Sequence, residues 1–439
     1  MKYPVYFVLL ACMAACAPSV GSAREDTSLS FDIPPTDEGL PGAGPIRRYN
    51  WFRNLWRNKR SGWARRVETD QEAVVFLGDS ITQGWGDDMG GAFAGMKVAN
   101  RGISGDTTRG MLIRLEEDVL SLNPGAVVLL MGTNDLEEGA APDVIAGNLK
   151  LIVERLKAHN AKMPIVLCKV FPSAENKKRP AERIKKINEL YAQAVLNDPQ
   201  ITVLETWVLF ADEKGDARKA EFPDLLHPNK AGYAKWGATL RPVFATLGLL
   251  ETEADDFQVE EGFESLFNGK DLTGWKFAAS NSKRASTLQR PVWKEDLVFD
   301  GRKQSVDGRY VAINGRLVVT TPPSGRRFQQ LWTTREFERD FVLKLEFRAT
   351  AFADSGVFIR KPQLQCRDFL LAGPWKELGK YKPQDWNELE ITVKDDVAYC
   401  TCNGELLEAA MKVPARGPIG LEGDRGQMEY RRIRIRELR

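Results

Sequence analysis

Only two of the 439 residues are histidine, and one of them, His227, stands three positions after a carboxylate in Asp224-Leu225-Leu226-His227-Pro228. A serine hydroxyl is a poor nucleophile at neutral pH until a base takes its proton, and imidazole suits that role best. His159 closes a stretch of helical period, where the helix dipole favours a cation. That leaves His227 as the candidate base, with Asp224 placed to hold the far ring nitrogen and fix the tautomer. The matching serine is Ser80, in Gly78-Asp79-Ser80-Ile81-Thr82-Gln83-Gly84, directly after the apolar run Val74–Leu77. This is not the Gly-x-Ser-x-Gly elbow, because Thr82 stands where the second glycine would be; taken alone, Ser80 could equally be a helix cap. Two more segments carry donors. Asn100-Arg101-Gly102-Ile103-Ser104-Gly105-Asp106 offers bare glycine N–H groups, and Gly132-Thr133-Asn134-Asp135 offers a side-chain amide. Both suit an oxyanion, although tight turns use the same residue types.

These residues need a scaffold that gathers them. Short apolar runs at Val74–Leu77, Val98–Asn100, Val127–Met131, Ile165–Val170 and Ile201–Leu204 alternate with helical-period stretches at Arg109–Leu122, Pro142–His159, Ala181–Leu196 and Lys230–Leu247. Such alternation predicts βαβ units around a buried parallel sheet, whose ligands sit at the carboxyl ends of the strands. Every chemical segment above follows a strand or precedes the last helix. From Arg47 to Arg66 the chain has eight basic and no acidic side chains, interleaved with Trp51, Phe52, Leu55, Trp56 and Trp63. It reads as a surface helix that packs its aromatics and turns arginine to water, in preference to a helix on anionic lipid. Beyond the acidic stretch Glu251–Glu261 the period changes. Runs at Arg316–Thr320, Phe341–Arg348, Ser355–Arg360, Asn387–Val393 and Arg431–Leu438, with turns at Asn268-Gly269, Asn314-Gly315 and Asn403-Gly404, predict an antiparallel sandwich.

Gly78-Asp79-Ser80, the Gly105 loop, Gly132-Thr133-Asn134-Asp135 and Asp224-x-x-His227 resemble, in order, the four blocks of the SGNH/GDSL hydrolases over roughly residues 70 to 248. The resemblance implies a flavodoxin-like three-layer α/β/α domain and a serine esterase. Its nucleophile would be Ser80, its general base His227 and its orienting carboxylate Asp224. The oxyanion hole would comprise the N–H groups of Ser80 and Gly105 with the Asn134 amide. No metal or cofactor is implied. Asn100-Arg101-Gly102-Ile103-Ser104-Gly105-Asp106-Thr107 is similar to the branch holding platelet-activating-factor acetylhydrolase catalytic subunits and small-acyl carbohydrate esterases. Residues 262 to 439 resemble the DUF1080, or 3-keto-disaccharide hydrolase, family. The resemblance rests on Phe263–Trp275, Ser355–Arg360, Asp385–Glu388 and Gly417–Glu422. It implies a concanavalin-like jelly roll linked to carbohydrate. Members often carry Gln-Asp-His-Gly where this chain has Glu422-Gly423-Asp424-Arg425-Gly426. Trp332, Arg360 and Trp375 are candidates for a sugar site, since aromatic faces and guanidinium suit polyhydroxyl ligands.

The expected organisation is a leader at 1–23, a flexible tether at 24–45, the hydrolase domain at 46–250, an acidic linker at 251–261 and the β domain at 262–439. Lys2 followed by the apolar run Val5–Ala15 reads as a secretory signal too short to span a bilayer. Within it Met13-Ala14-Ala15-Cys16 resembles a lipobox, implying export to a bacterial cell envelope and possible lipidation at Cys16. A net charge of +2 argues against a nucleic-acid partner. Cys168, Cys366, Cys400 and Cys402 match neither a zinc site nor a disulfide framework. Cys366 could pair with Cys400 or Cys402, and buried free thiols are the alternative. The expected activity is hydrolysis of small acyl, chiefly acetyl, esters on carbohydrate. The alternatives are 3-keto-glycoside hydrolysis by the second domain and sugar binding with an inactive first domain.

Overall fold

Five apolar runs pair in parallel as β1 (Val74–Gly78), β2 (Val98–Gly102), β3 (Ala126–Leu130), β4 (Ile165–Cys168) and β5 (Ile201–Leu204), in the order β2-β1-β3-β4-β5. The computed structural model describes residues 31–195, 198, 200–250, 257–280, 293–319, 329–350, 353–367, 373–423 and 427–438. The leader with Cys16, the first residues of the expected tether and residues 251–256 of the expected linker lie outside the described residues.

Every residue of β1, β3 and β4 is buried, because helices cover both faces of the sheet. These are α1 (Asn50–Ala64), α2 (Ser80–Gly84), α3 (Thr108–Ile113), α4 (Leu115–Asp118), α5 (Thr133–Glu137), α6 (Pro142–His159), α7 (Ala181–Ala194), α8 (Thr206–Phe210) and α9 (Lys230–Thr246). On one face Val75, Leu77, Val127 and Leu129 meet Ile145, Leu149 and Ile152 of α6 and Ile184 and Ile187 of α7. On the other, Phe76 and Val128 meet Trp236, Leu240 and Phe244 of α9, with Trp85 and Phe93 between. The strand order reverses between β1 and β3, which opens a crevice at their carboxyl ends. Asp79-Ser80 and Thr133-Asn134 follow those two strands.

Three expectations need correction. The stretch 109–122 is not one helix: it breaks at Arg114 (φ −91°, ψ 5°). The Arg114 side chain is fully buried, bonding Asp106 at 2.8 Å and the carbonyls of Gly78 and Arg101 at 3.2 and 2.8 Å. Those contacts fix the chain more firmly than helical period does. The described part of the tether, from residue 31 on, is not a free linker. Ile33 and Ile46 are buried in a cluster with Phe52, Trp56, Trp63 and Ile103, and Ala43 exchanges two hydrogen bonds with the Asn148 side chain at 3.0 and 2.8 Å. Glycine serves close approach there: a Cβ on Gly42 would fall 2.4 Å from Asn148 Oδ1. Finally, α1 buries Phe52, Trp56 and Trp63 as a surface helix should, yet Arg60 is also buried, its Nε 3.0 Å from both oxygens of Asp118, while Trp51 stands half exposed.

The second domain consists, among the described residues, of one sheet of eight strands and one of six, all pairings antiparallel. Its core holds Phe341, Leu343, Leu345 and Phe347 from one sheet and Leu331, Val357, Ile359 and Leu421 from the other, as expected of a jelly roll. At the turns Asn314-Gly315 and Asn403-Gly404 both residues have φ between 47° and 78°, the conformation that a tight hairpin demands. Asn314 also donates to the carbonyls of Ala245 and Thr246 in the last turn of α9. Cys168, Cys366, Cys400 and Cys402 are free thiols, all buried.

Candidate active site

Ser80 opens α2 two residues past β1. Asp79 caps that helix, its Oδ1 accepting from Ile81 N at 2.9 Å. This leaves the Ser80 backbone N–H among the unbonded donors of the first turn. The imidazole arrives from the far end of the chain. Asn229 caps α9, its Oδ1 accepting from Gly232 N at 3.0 Å, and the loop before it folds back sharply, with Leu225 at φ 64°. Asp224 Oδ1 accepts from the backbone N–H groups of Leu226 (3.0 Å) and His227 (2.7 Å). Its Oδ2 lies 2.7 Å from His227 Nδ1, and His227 Nε2 lies 3.0 Å from Ser80 Oγ. Tyr233, one turn into α9, donates to the carbonyl of Ile81 at 2.9 Å and so ties the two helices together.

The electrostatics agree with this order. Burial works against Asp224, but the N–H groups of His227 and Leu226 and the imidazole outweigh it and hold the carboxyl at about 2. Asp224 is therefore an anion wherever the imidazole can act as a base. Asp79, by contrast, is buried. Desolvation lifts it to about 6 despite the Ile81 N–H and the nearby Arg179, His227 and Arg47.

The Gly105 loop crosses from β2 towards β3. Asp106 beside it accepts from Arg114 at 2.8 Å and from Thr107 N at 3.0 Å, and burial lifts its carboxyl to about 7. Asp135 accepts from Thr108 N and from Thr108 Oγ1 at 2.6 Å, with burial raising it to about 6. Asp135 stitches the loops that carry Gly105 and Asn134, and Asp106 ties the first of them to Arg114. Asn134 donates one amide hydrogen to Asp106 O at 3.0 Å, which leaves its second hydrogen for another acceptor. Gly105 takes φ 88°, and a Cβ there would lie 2.7 Å from Trp51 Cη2 and 2.9 Å from Arg47 Nη1. Ser80, Asp224 and His227 thus form one relay, and Gly105 and Asn134 lie on the loops that follow β2 and β3 at the carboxyl edge of the same sheet. A hydroxyl, a base with its orienting anion, and N–H donors beside them can perform acyl transfer. His159 ends α6, exposed, away from this group.

Residues 76–235 match the GDSL-like lipase/acylhydrolase family, and residues 262–436 match the 3-keto-alpha-glucoside-1,2-lyase-like domain. The first domain is a GDSL-like acylhydrolase domain. Among curated proteins this domain is similar to platelet-activating factor acetylhydrolase IB subunit alpha1 of Pongo abelii, 26% identical over 41% of this chain and 78% of that one. It is also similar to subunit alpha2 of Homo sapiens, 26% identical over 41% of this chain and 79% of that one. A solved GDSL-like lipase from Bacteroides thetaiotaomicron is 27% identical, covering 44% of this chain and 96% of its own, with a TM-score of 0.38.

In the second domain the three expected sugar-site residues do not come together. Arg360 is buried, and its guanidinium donates to the carbonyls of Asp395, Pro414 and Arg339 at 3.3, 3.2 and 2.6 Å. It closes loops, because a buried guanidinium must spend its N–H groups internally. Trp375 is buried edge-on against Phe347 and Tyr381. Trp332 alone keeps a partly open face, 5.2 Å from Phe358 on the six-stranded sheet. Near it stands a group whose partners the sequence does not announce: Glu422, whose two carboxylate oxygens accept from Gln330 (2.7 Å) and Gln363 (2.8 Å). Its signal is absent from the spacing, since the two glutamines lie 92 and 59 residues away.

Proposed function

We propose that this chain is a serine esterase that hydrolyses small acyl esters, chiefly acetyl esters, carried on carbohydrate. The observation that carries the reading is the relay Asp224 Oδ2–His227 Nδ1 (2.7 Å) and His227 Nε2–Ser80 Oγ (3.0 Å). Ser80 Oγ attacks the ester carbonyl while His227 Nε2 takes its proton, and Asp224 steadies the imidazolium. The carbonyl oxygen becomes an oxyanion that accepts from the N–H groups of Ser80 and Gly105 and from Asn134 Nδ2. His227 then gives the proton to the departing alcohol, leaving an acyl group on Ser80. A water deprotonated by His227 attacks that acyl carbon, and the proton returns to Ser80 as the carboxylic acid leaves.

The carbohydrate part of the reading is supported by the second domain, whose family is named for keto-glucosides. The leader supports export, with Cys16 as the residue to carry lipid. The reading is tested by labelling the full chain with a fluorophosphonate, then measuring rates on p-nitrophenyl esters of increasing acyl length and on acetylated oligosaccharides. The expected result is label on the Ser80 peptide and kcat/KM falling from acetyl to longer acyl groups. Labelling elsewhere, or no hydrolysis of acetyl esters, would overturn the reading.

A second expectation concerns the loop donor. Gly105→Ala forces a Cβ into Trp51 and Arg47 at a positive φ that alanine resists. The backbone N–H must then move, and kcat should fall by about 10²–10³, the usual loss for one oxyanion donor. Adding Trp51→Ala removes part of the clash but not the backbone strain, so it should restore only part of the rate. Full restoration would mean that Gly105 matters for packing alone.

A further inference from the structure

An asparagine that must donate into a crevice has to be held in one of two orientations, because a flip of its amide exchanges donor for acceptor. Asn134 is held from both sides. Its Nδ2 donates to Asp106 O at 3.0 Å, and its Oδ1 accepts from Arg179 Nη2 at 3.0 Å. Flipped, its N–H groups would face a guanidinium and its oxygen a carbonyl oxygen, so both contacts would turn repulsive. A cation on Oδ1 also draws electron density from the amide and strengthens the remaining N–H as a donor.

Arg179 is itself fixed by a fork of contacts. Nε donates to Thr133 O at 3.0 Å, Nη1 to Lys177 O at 2.6 Å, and Nη2 to Glu137 at 2.8 Å as well as to Asn134. Glu137 takes a second guanidinium, that of Arg47, whose Nε donates to Glu138 at 2.7 Å. Arg47 in turn stands against Gly105. A bridge Arg47–Glu137–Arg179 therefore runs from beside Gly105 to the Asn134 amide. It begins at residue 47, outside the span 76–235 that matches the acylhydrolase family. The side chains of Arg47 and Arg179 are only 7% and 2% exposed. Burying two guanidiniums is costly unless their N–H groups are used, and here they are used on the donor loops.

We infer that Arg179 is a positioning residue for ester hydrolysis: through the bridge to Arg47 it locks and polarises the Asn134 amide. Buried as it is, it acts through Asn134 and not on substrate. The inference rests on the proposed role of Asn134 as an oxyanion donor.

The experiment is a double-mutant cycle on the full chain with Arg179→Ala, Asn134→Ala and both together. It reads kcat and KM on a p-nitrophenyl acetyl ester, with the unfolding temperature of each variant. Asn134→Ala should lower kcat by about 10²–10³. Arg179→Ala should lower kcat by about tenfold to a hundredfold with KM within about twofold, and the pair should be no worse than Asn134→Ala alone, since coupled residues are not additive. Arg179→Lys, which keeps the charge but loses the fork, should fall between wild type and Arg179→Ala. Losses that multiply, or an Arg179→Ala enzyme at full kcat, would overturn the positioning role. An Asn134→Ala enzyme at full kcat would instead remove the oxyanion reading beneath it. Should Arg179→Ala not fold, Arg179→Lys and Arg47→Gln complete the same cycle with Asn134→Ala.

Discussion

Ser80→Ala should lower kcat for a small acyl ester by about 10⁵–10⁶, with the unfolding temperature almost unchanged. The size follows from the way a nucleophile and its base work as one unit: removing either leaves only the oxyanion donors and binding, so the loss is close to that of the whole set. The small effect on stability follows from the environment. Ser80 is half-buried, the side-chain partner of its hydroxyl is His227, and the cap of α2 belongs to Asp79, which the substitution leaves in place. Purified wild type and variant are compared on the same acetyl ester, with initial rates followed over hours to register a residual rate. A variant that keeps more than about one part in a hundred of the rate would place the nucleophile elsewhere in the chain. His227→Ala should match the loss, because no other histidine stands near Ser80; His159 is at the end of α6.

The relay was legible because its members lie in short segments after a strand or before the last helix, and the strand rule gathers strand ends at one rim. The scarcity of histidine did the rest. The sheet was legible for the same reason: strands buried on both faces read as unbroken apolar runs, and Pro142–His159 shows both its period and its proline start. What escaped was anything built from residues far apart without a repeating pattern. Arg179, Glu137 and Arg47 meet across 42 and 90 positions, and no periodicity marks them. Residues 31–45 misled because glycine and proline have two uses, loose chain and close backbone contact, and composition cannot tell them apart. Arg360 misled in the opposite way. An arginine suited to a ligand is equally suited to three backbone carbonyls, and only burial decides between them.

Asp224→Asn should lower kcat by about 10⁴ while leaving KM close to wild type. The two carboxylate oxygens of Asp224 serve different partners. Oδ1 takes the N–H groups of Leu226 and His227, and Oδ2 takes the imidazole. An asparagine keeps the shape of the loop by leaving its oxygen on the two backbone donors. Its amide nitrogen then faces His227 Nδ1 and donates to it, so the ring proton must sit on Nε2. That proton points at Ser80 Oγ, and the ring can no longer accept one from the hydroxyl. The loss is thus one of tautomer and not of fold, which separates it from Asp224→Ala, where the loop also loses its two backbone bonds and the unfolding temperature should drop. The carboxyl at about 2 sets the pH window. A depressed folded value means that the stabilisation from Asp224 is complete above the ordinary carboxylate range near 4 and is lost as the pH falls towards 2. Between pH 5 and 9 the carboxylate stays fully ionised. Any acid limb in the wild-type rate over that range therefore belongs to another group, and the Asp224→Asn deficit should already be complete at pH 5. An Asp224→Asn enzyme within tenfold of wild type, or one whose deficit first appears below pH 4, would show that Asp224 serves the loop and not the imidazole.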